Sequence, residues 1–127
     1  MAKILVVDDE PHVVELVAFN LRREGYTVVS AENGAAALLA VDREHPDLIV
    51  LDILMPIMDG VQVARTLKAN PETREIPILF LTAKAQDADI LEGLTAGAEV
   101  YLPKPFSPID LLRVVTTLLA EVGEGED

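Results

Sequence analysis

The sequence predicts an α/β protein: a doubly wound parallel sheet of five strands with helices on both faces. Three observations carry that expectation. Five short apolar runs recur along the 127 residues, at 3–7, 26–30, 48–51, 77–82 and 99–102. Each is followed by a stretch of helical length with its own stop signal, so strand and helix alternate throughout. The runs Ile4–Val7, Leu48–Leu51 and Ile78–Leu81 show no polar alternation, as expected of strands covered on both faces.

The first strand, Lys3–Val7, ends at Asp8-Asp9-Glu10-Pro11. Pro11 suits the first turn of a helix, and the acids before it suit that helix's positive end. The helix runs from about Pro11 to Glu24, with Val14, Val17, Ala18 and Leu21 on one face, and Gly25 stops it. Tyr26–Ser30 is the second strand, Glu32-Asn33-Gly34 a turn, and Ala35–Glu44 an Ala/Leu-rich helix ending before Pro46. The third strand, Leu48–Leu51, opens into Asp52 and a Pro56–Gly60 loop, followed by a helix over roughly Val61–Ala69. Asn70-Pro71-Glu72 is a loop, and Pro77–Thr82 is a fourth strand ending in a hydroxyl. Ala88–Ala96 forms the fourth helix, stopped by Gly97; Glu99–Leu102 is a short fifth strand, and Pro103-Lys104-Pro105 a rigid turn. The last helix covers Ser107 to about Glu121, with Ser107 and Asp110 spaced like a capping box carrying Asp for Glu. Residues 1–122 form one domain, and 123–127 an acidic disordered tail or the start of a linker. Right-handed crossovers onto both faces require the strand order to reverse, and the five-stranded solution is the flavodoxin-like order 2-1-3-4-5. That order sets the ends of strands 1 and 3 side by side.

Composition narrows the function. Half the residues are apolar and 25% charged, ordinary for a globular domain. A net charge of −12 argues against nucleic acid and for a basic or cationic partner. No cysteine is present, which removes disulfides and thiolate zinc sites and fits a cytoplasmic protein. No apolar run approaches the roughly 18 residues of a membrane span, and Met1-Ala2-Lys3 leads straight into a strand, without a leader pattern.

The strand order brings Asp8 and Asp9 beside Asp52. At ~4 Å and an effective dielectric of ~20, each carboxylate pair costs on the order of 4 kcal/mol. Strands 4 and 5 deliver Thr82 and Lys104 to the same edge, and one ammonium cannot balance three carboxylates. A divalent cation is implied, and oxygen-only ligands favour Mg²⁺ or Mn²⁺ over zinc. Taken singly, each residue has a plainer reading. Asp52 suits a cap or turn, Asp8 and Asp9 suit a helix dipole, and Tyr101 suits a half-buried strand aromatic. His12 and His45 read as surface helix residues, and Met55 and Met58 as packing for the loop.

Together these residues resemble a response-regulator receiver domain of the chemotaxis type, the phosphorylatable half of two-component signalling. The resemblance runs from Ile4 to about Ala120, through Val7-Asp8-Asp9-Glu10, the segment Leu51–Gly60, Leu81-Thr82-Ala83-Lys84, Gly97-Ala98 and Tyr101–Phe106. It implies that Asp52 is the phosphoacceptor, taking a phosphoryl group from the phosphohistidine of a sensor histidine kinase or phosphotransfer protein. It implies a magnesium site (Mn²⁺ can substitute) of Asp9, Asp8 through water, Asp52 and the backbone carbonyl of Leu54. It assigns Lys104 and Thr82 to phosphoryl oxygens, Tyr101 to the switch, and a cis bond to Lys104-Pro105. No conventional turnover is implied beyond the chain's own phosphorylation and dephosphorylation.

Output in such domains runs through the helix 4–strand 5–helix 5 face, as a phosphorylation-dependent partner site or self-dimer. Three positions there that usually carry charge are Ile90, Val100 and Val114, so the face is expected to bind by hydrophobic contact, unless these residues are simply core. Leu54 and Lys84 are expected to flank the path of a hydrolytic water, and a bulky Leu54 implies slow loss of phosphate. Two other functions share parts of the pattern. An aspartate-nucleophile phosphohydrolase expects a second acid at position 54, which is Leu; a degenerate receiver serving as a docking module expects a broken acidic set.

Overall fold

The computed structural model describes residues 2–84 and 86–126, with side chains as far as Ala120. Its elements are β1 (Lys3–Val7), α1 (Pro11–Arg23), β2 (Thr27–Ala31), α2 (Gly34–Glu44), β3 (Leu48–Leu51), α3 (Gly60–Ala69), β4 (Ile78–Thr82), α4 (Asp87–Thr95), β5 (Val100–Pro103) and α5 (Pro108–Glu126). The strands form one parallel sheet in the order β2-β1-β3-β4-β5, the doubly wound arrangement that handedness demanded.

Alternation along each strand divides the core into two layers. Leu5, Val7, Ile49, Leu51, Ile78 and Phe80 face one way and pack under α2 and α3. Ile4, Val6, Leu48, Val50, Leu79 and Leu81 face the other, against α1 and α5. In β1, β3 and β4 both faces are covered, so these strands show no polar alternation, whereas β2 and β5 at the sheet edges are partly exposed. Burying a large aliphatic side chain stabilises by about 1.5–3 kcal/mol, and these twelve supply most of the sheet's share.

Element ends follow local chemistry. Gly25 and Gly97 take φ of 93° and 111° behind α1 and α4, a conformation glycine reaches without cost. Asn33 caps α2, its side-chain oxygen accepting the Ala36 N–H at 2.8 Å. The helix α3 starts one residue earlier than expected, because Asp59 and Gln62 cap each other: Asp59 Oδ1 accepts the Gln62 N–H at 2.9 Å, and Gln62 Oε1 accepts the Asp59 N–H at 3.0 Å. β2 lies one residue later than its apolar run, since Tyr26 packs against the α1 and α5 layer instead of pairing. At the amino-terminal edge of the sheet, Lys68 Nζ donates to Glu99 Oε1 at 2.8 Å and to the carbonyl of Ile76 at 2.8 Å, tying α3 to the start of β4 and β5. The backbone of α5 continues to Glu126, past the end expected near Glu121.

Candidate functional site

Parallel strands that end in register set their next residues side by side. Val7 is paired with Leu51, so Asp8 and Asp52 leave the sheet together at its carboxyl edge. Backbone bonds hold both: the Asp8 N–H donates to the Ala31 carbonyl at 3.2 Å, and the Asp52 N–H to that of Val7 at 3.0 Å. Across the same edge Thr82 ends β4 opposite Pro103, and the Lys104 N–H donates to the Thr82 carbonyl at 2.9 Å. The Lys104-Pro105 peptide bond is cis.

An oxygen from each of Asp8, Asp9 and Asp52 lies within 4.8 Å of the others. Asp8 and Asp52 are buried, at 3% and 4% exposure, and Asp9 is exposed. The Lys104 ammonium sits between the two buried acids, 2.7 Å from Asp8 Oδ2 and 3.5 Å from Asp52 Oδ2. The other oxygens accept backbone donors: Asp8 Oδ1 from the Glu10 N–H at 3.0 Å, and Asp52 Oδ1 from the Leu54 N–H at 3.3 Å. Burial pushes the Asp52 carboxyl above its ordinary value; the Thr82 hydroxyl and the Lys104 ammonium oppose the rise, and Asp8 adds to it. Burial works against the Lys104 ammonium, but its bond to Asp8 and the charge of Asp52 prevail, and its pKa ends above the ordinary lysine value.

Three carboxylates against one ammonium leave a surplus of negative charge in a half-closed place. All the clustered donors are hard oxygens, with no sulfur or imidazole among them, so the set fits a hard divalent cation. Asp9, at the solvent side, and the two buried acids are the residues that could hold it. A groove of about 580 Å³ between α1 and α2 takes in Asp8 and Asp9 at one end, but neither Asp52 nor Lys104 lines it. Asp52 and Lys104 therefore lie at the strand ends, outside that groove.

Tyr101 stands apart from the acids. Its hydroxyl donates to the backbone carbonyl of Lys84, and its ring meets Phe80 at 5.8 Å with a 57° tilt. The Lys84 N–H donates to the Thr82 hydroxyl oxygen at 3.2 Å. One peptide segment thus touches both Thr82 and Tyr101, through backbone atoms that no side-chain pattern reveals. The Lys84 ammonium lies 3.6 Å from Asp89 on α4. Of the three expected output residues, Val100 and Val114 are half-buried against the α1 and α5 layer and line a shallow groove with Glu99, Arg113, Thr117 and Leu118. Ile90, also half-buried, lies on α4 outside that groove.

Gly60, a turn residue by its sequence context, has a tighter role in the structure. A Cβ at position 60 would lie 2.2 Å from the Asp52 carbonyl oxygen, so α3 can begin against the back of Asp52 only through a bare Cα. Gly60→Ala is expected to cost about 3 kcal/mol by overpacking, read as a lower urea midpoint; an unchanged midpoint would refute the close approach. The Asp-Gly spacing after an apolar strand hinted at a cap but not at this contact.

A parallel sheet with three acids, a lysine and a hydroxyl gathered at its switch point is the arrangement in which doubly wound proteins keep their sites. A family model described as the response regulator receiver domain matches residues 4–116, and the chain belongs to that family, the phosphoacceptor part of two-component signal transduction. Among curated relatives it is 45% identical to the alkaline phosphatase synthesis transcriptional regulatory protein PhoP of Bacillus subtilis, over 92% of this chain and 48% of the relative. It is 40% identical to the phosphate regulon transcriptional regulatory protein PhoB of Pseudomonas aeruginosa, over 97% of this chain and 54% of the relative. The chain thus spans about half the length of these relatives. Among solved structures, a putative response regulator from Chloroflexus aurantiacus superposes with a TM-score of 0.90 at 37% identity, covering 94% of this chain and 98% of the other. The chemotaxis response regulator CheY4 of Vibrio cholerae superposes with a TM-score of 0.87 at 33% identity, covering 93% and 98%.

Proposed function

We propose that the chain accepts a phosphoryl group on Asp52 from the phosphohistidine of a sensor histidine kinase or phosphotransfer protein. An Asp52 oxygen attacks phosphorus, the P–N bond to the donor imidazole breaks, and its electron pair leaves with that nitrogen. Mg²⁺, with Mn²⁺ as substitute, is the cation the oxygen set suits, and when bound it offsets the charge that otherwise keeps two anions apart. Asp9, Asp52 and the Leu54 carbonyl would hold it directly, and Asp8 through water. Lys104, freed from part of its contact with the acids, pairs with one phosphoryl oxygen, and the Thr82 hydroxyl donates to another. The observation that carries this reading is the acid cluster, with oxygens within 4.8 Å and a single ammonium against it. Incubation with acetyl phosphate, with and without Mg²⁺, tests it by mass spectrometry of the Asp52 peptide. A phosphoryl mass gain that requires the metal is expected; no gain in either condition overturns the reading.

The new charge, roughly −1.5 to −2, is read by the segment after β4. Thr82 moves toward the phosphoryl group, Lys84 moves with it through its N–H, and Tyr101 follows through the Lys84 carbonyl. The readout is the α4–β5–α5 face, where Ile90, Val100 and Val114 offer apolar contact to a partner or a second copy. Ile90→Glu combined with Val114→Lys is expected to weaken phosphorylation-dependent association at least about tenfold, a loss of roughly 1.4 kcal/mol. Light scattering of the phosphorylated chain checks this for self-association, and equal association of variant and wild type would refute it.

Leu54 is half-exposed at the mouth and offers neither an acid nor a hydrogen bond to orient water. That favours a long-lived phosphoaspartate over a phosphohydrolase. Leu54→Asn is expected to speed phosphate release several-fold in a time course after removal of donor, and an unchanged half-life would clear Leu54 of the role. The complete set of Asp8, Asp9, Asp52, Thr82 and Lys104 favours an active acceptor over a docking-only domain. Among the described residues no helix is long and apolar enough to cross a membrane. A phosphoacceptor of this kind works in the cytoplasm, and the net charge of −12 favours contacts with proteins over nucleic acid.

A further inference from the structure

Among the described residues of α4 only Gly93 is buried. Leu91 and Leu94 are turned outward, so the helix meets the sheet through a residue with no side chain. Glycine in the middle of a helix is disfavoured relative to alanine, and the packing beneath supplies the reason for it here. A Cβ at position 93 would lie 2.9 Å from both Cδ2 and Cε2 of Tyr101 and 3.0 Å from Cδ2 of Phe80, where carbon atoms rest at about 3.5–4.0 Å. The Tyr101 ring thus occupies a slot bounded by the bare Cα of Gly93 and by Phe80.

The surroundings determine which part would yield to a side chain at 93. Phe80 is fully buried and has nowhere to retreat. The helix is held at both ends. At its start the Asp89 carboxylate accepts the Gln86 N–H at 3.2 Å and lies 3.6 Å from the Lys84 ammonium. Past its end the Ala98 N–H donates to the Gly93 carbonyl at 3.3 Å, and the Glu99 N–H to that of Ile78 at 2.9 Å. The Lys68 stem packs there too, 2.6 Å from where a Cβ on Gly97 would sit. Tyr101 is the part with an open side: it is half-buried, and its polar tie is the bond from its hydroxyl to the Lys84 carbonyl.

We infer that Gly93 is a positioning residue of the switch: its missing side chain keeps open the slot in which Tyr101 stays joined to Lys84. A larger residue there pushes the ring outward and uncouples Tyr101 from Thr82, with the acceptor left intact. The inference rests on the reading that Asp52 takes the phosphoryl group and that Thr82, Lys84 and Tyr101 carry the change outward. Gly93 acts only through Tyr101, so chemistry at Asp52 is expected to proceed when it is replaced.

The chain has two tyrosines and no tryptophan, so Tyr26→Phe leaves Tyr101 as the one strong fluorophore. Acrylamide quenching of its emission then reads how far the ring is covered. In that background, phosphorylation with acetyl phosphate and Mg²⁺ is expected to lower the quenching constant, as Tyr101 follows Thr82 inward. Gly93→Ala is expected to raise the constant at least about twofold before any phosphate is added, and to abolish the response to phosphorylation. Labelling of Asp52 is expected to stay within about twofold. Phe80→Leu, added to Gly93→Ala, opens the other side of the slot and is expected to bring the quenching back down. General loosening of the fold would instead add across the two substitutions. An unchanged constant in Gly93→Ala, a loss of labelling as large as the loss of response, or no recovery with Phe80→Leu would each overturn the inference. The readings beneath it fail separately. If acetyl phosphate does not label wild-type Asp52, the phosphoacceptor reading falls and takes this one with it. If Asp52 is labelled and Tyr101 quenching in the Tyr26→Phe chain does not change, the acceptor stands, while the switch and the role of Gly93 in it fall.

Discussion

Asp52→Asn is expected to remove phosphoryl labelling of this chain by at least about 10³-fold, the scale on which loss of a nucleophile is read. The substitution keeps shape and hydrogen-bonding capacity but lacks the anionic oxygen that attacks phosphorus. Its second consequence runs the other way. Burial holds the Asp52 carboxyl above its ordinary pKa, so folding favours the protonated form relative to the unfolded chain. Above that raised pKa the ionised carboxylate lowers stability; as pH falls toward the unfolded-state value the group protonates and the penalty disappears. In metal-free buffer near neutrality, Asp52→Asn is therefore expected to unfold at higher urea than wild type, and the gap is expected to close as the solution is acidified. Residual labelling on the Asp52 peptide would remove Asp52 as the acceptor. A variant less stable than wild type at neutral pH would show that Lys104 already neutralises the pocket.

Lys104→Met is expected to be the most destabilising substitution at the site, by on the order of 3 kcal/mol in metal-free buffer. It leaves Asp8 and Asp52 buried at 3% and 4% exposure without their shared cation. A divalent ion should restore much of the loss, since a ligand at a hundred times its Kd stabilises by about 2.7 kcal/mol. The pH dependence follows from the raised Lys104 pKa. Its stabilising contribution is complete below the unfolded lysine value and fades as pH climbs through the folded one. Wild type should lose stability in that alkaline range, and Lys104→Met should lack that loss. Urea titrations across pH, with EDTA and with Mg²⁺, read all of this. An unchanged midpoint in EDTA would mean that the ion pair seen between Lys104 and Asp8 contributes nothing.

Most element positions were legible because their signals are local. Dry strands announce themselves by the missing alternation in Ile4–Val7 and Leu48–Leu51, and α1 and α4 end at glycines that take positive φ. The α3 cap is written in the sequence as an Asp-x-x-Gln spacing, inside a segment whose Pro and Gly also fit a turn. Val100 and Val114 could be assigned to a face but not to a depth. Their half-burial depends on how α5 lies across the sheet, which no window of sequence encodes. Ile57 ran against propensity altogether: nothing in its side chain suggests a left-handed backbone, which is imposed by Met58 seating at Gly34 and Gly60 closing on Ile53.

By itself the sequence determined that strands and helices alternate, that the strand order must reverse, and that Asp8, Asp9, Asp52, Thr82 and Lys104 end on one edge. Those follow from periodicity, chain handedness and register, which are properties of short segments and of their order. Only the tertiary structure decided that Lys104 settles between Asp8 and Asp52, that Lys84 joins Thr82 to Tyr101 through its peptide groups, and that Gly60 backs Asp52 with no room for a Cβ. Each depends on distances of a few ångströms between segments remote in sequence, and such distances are set by the packing of whole elements.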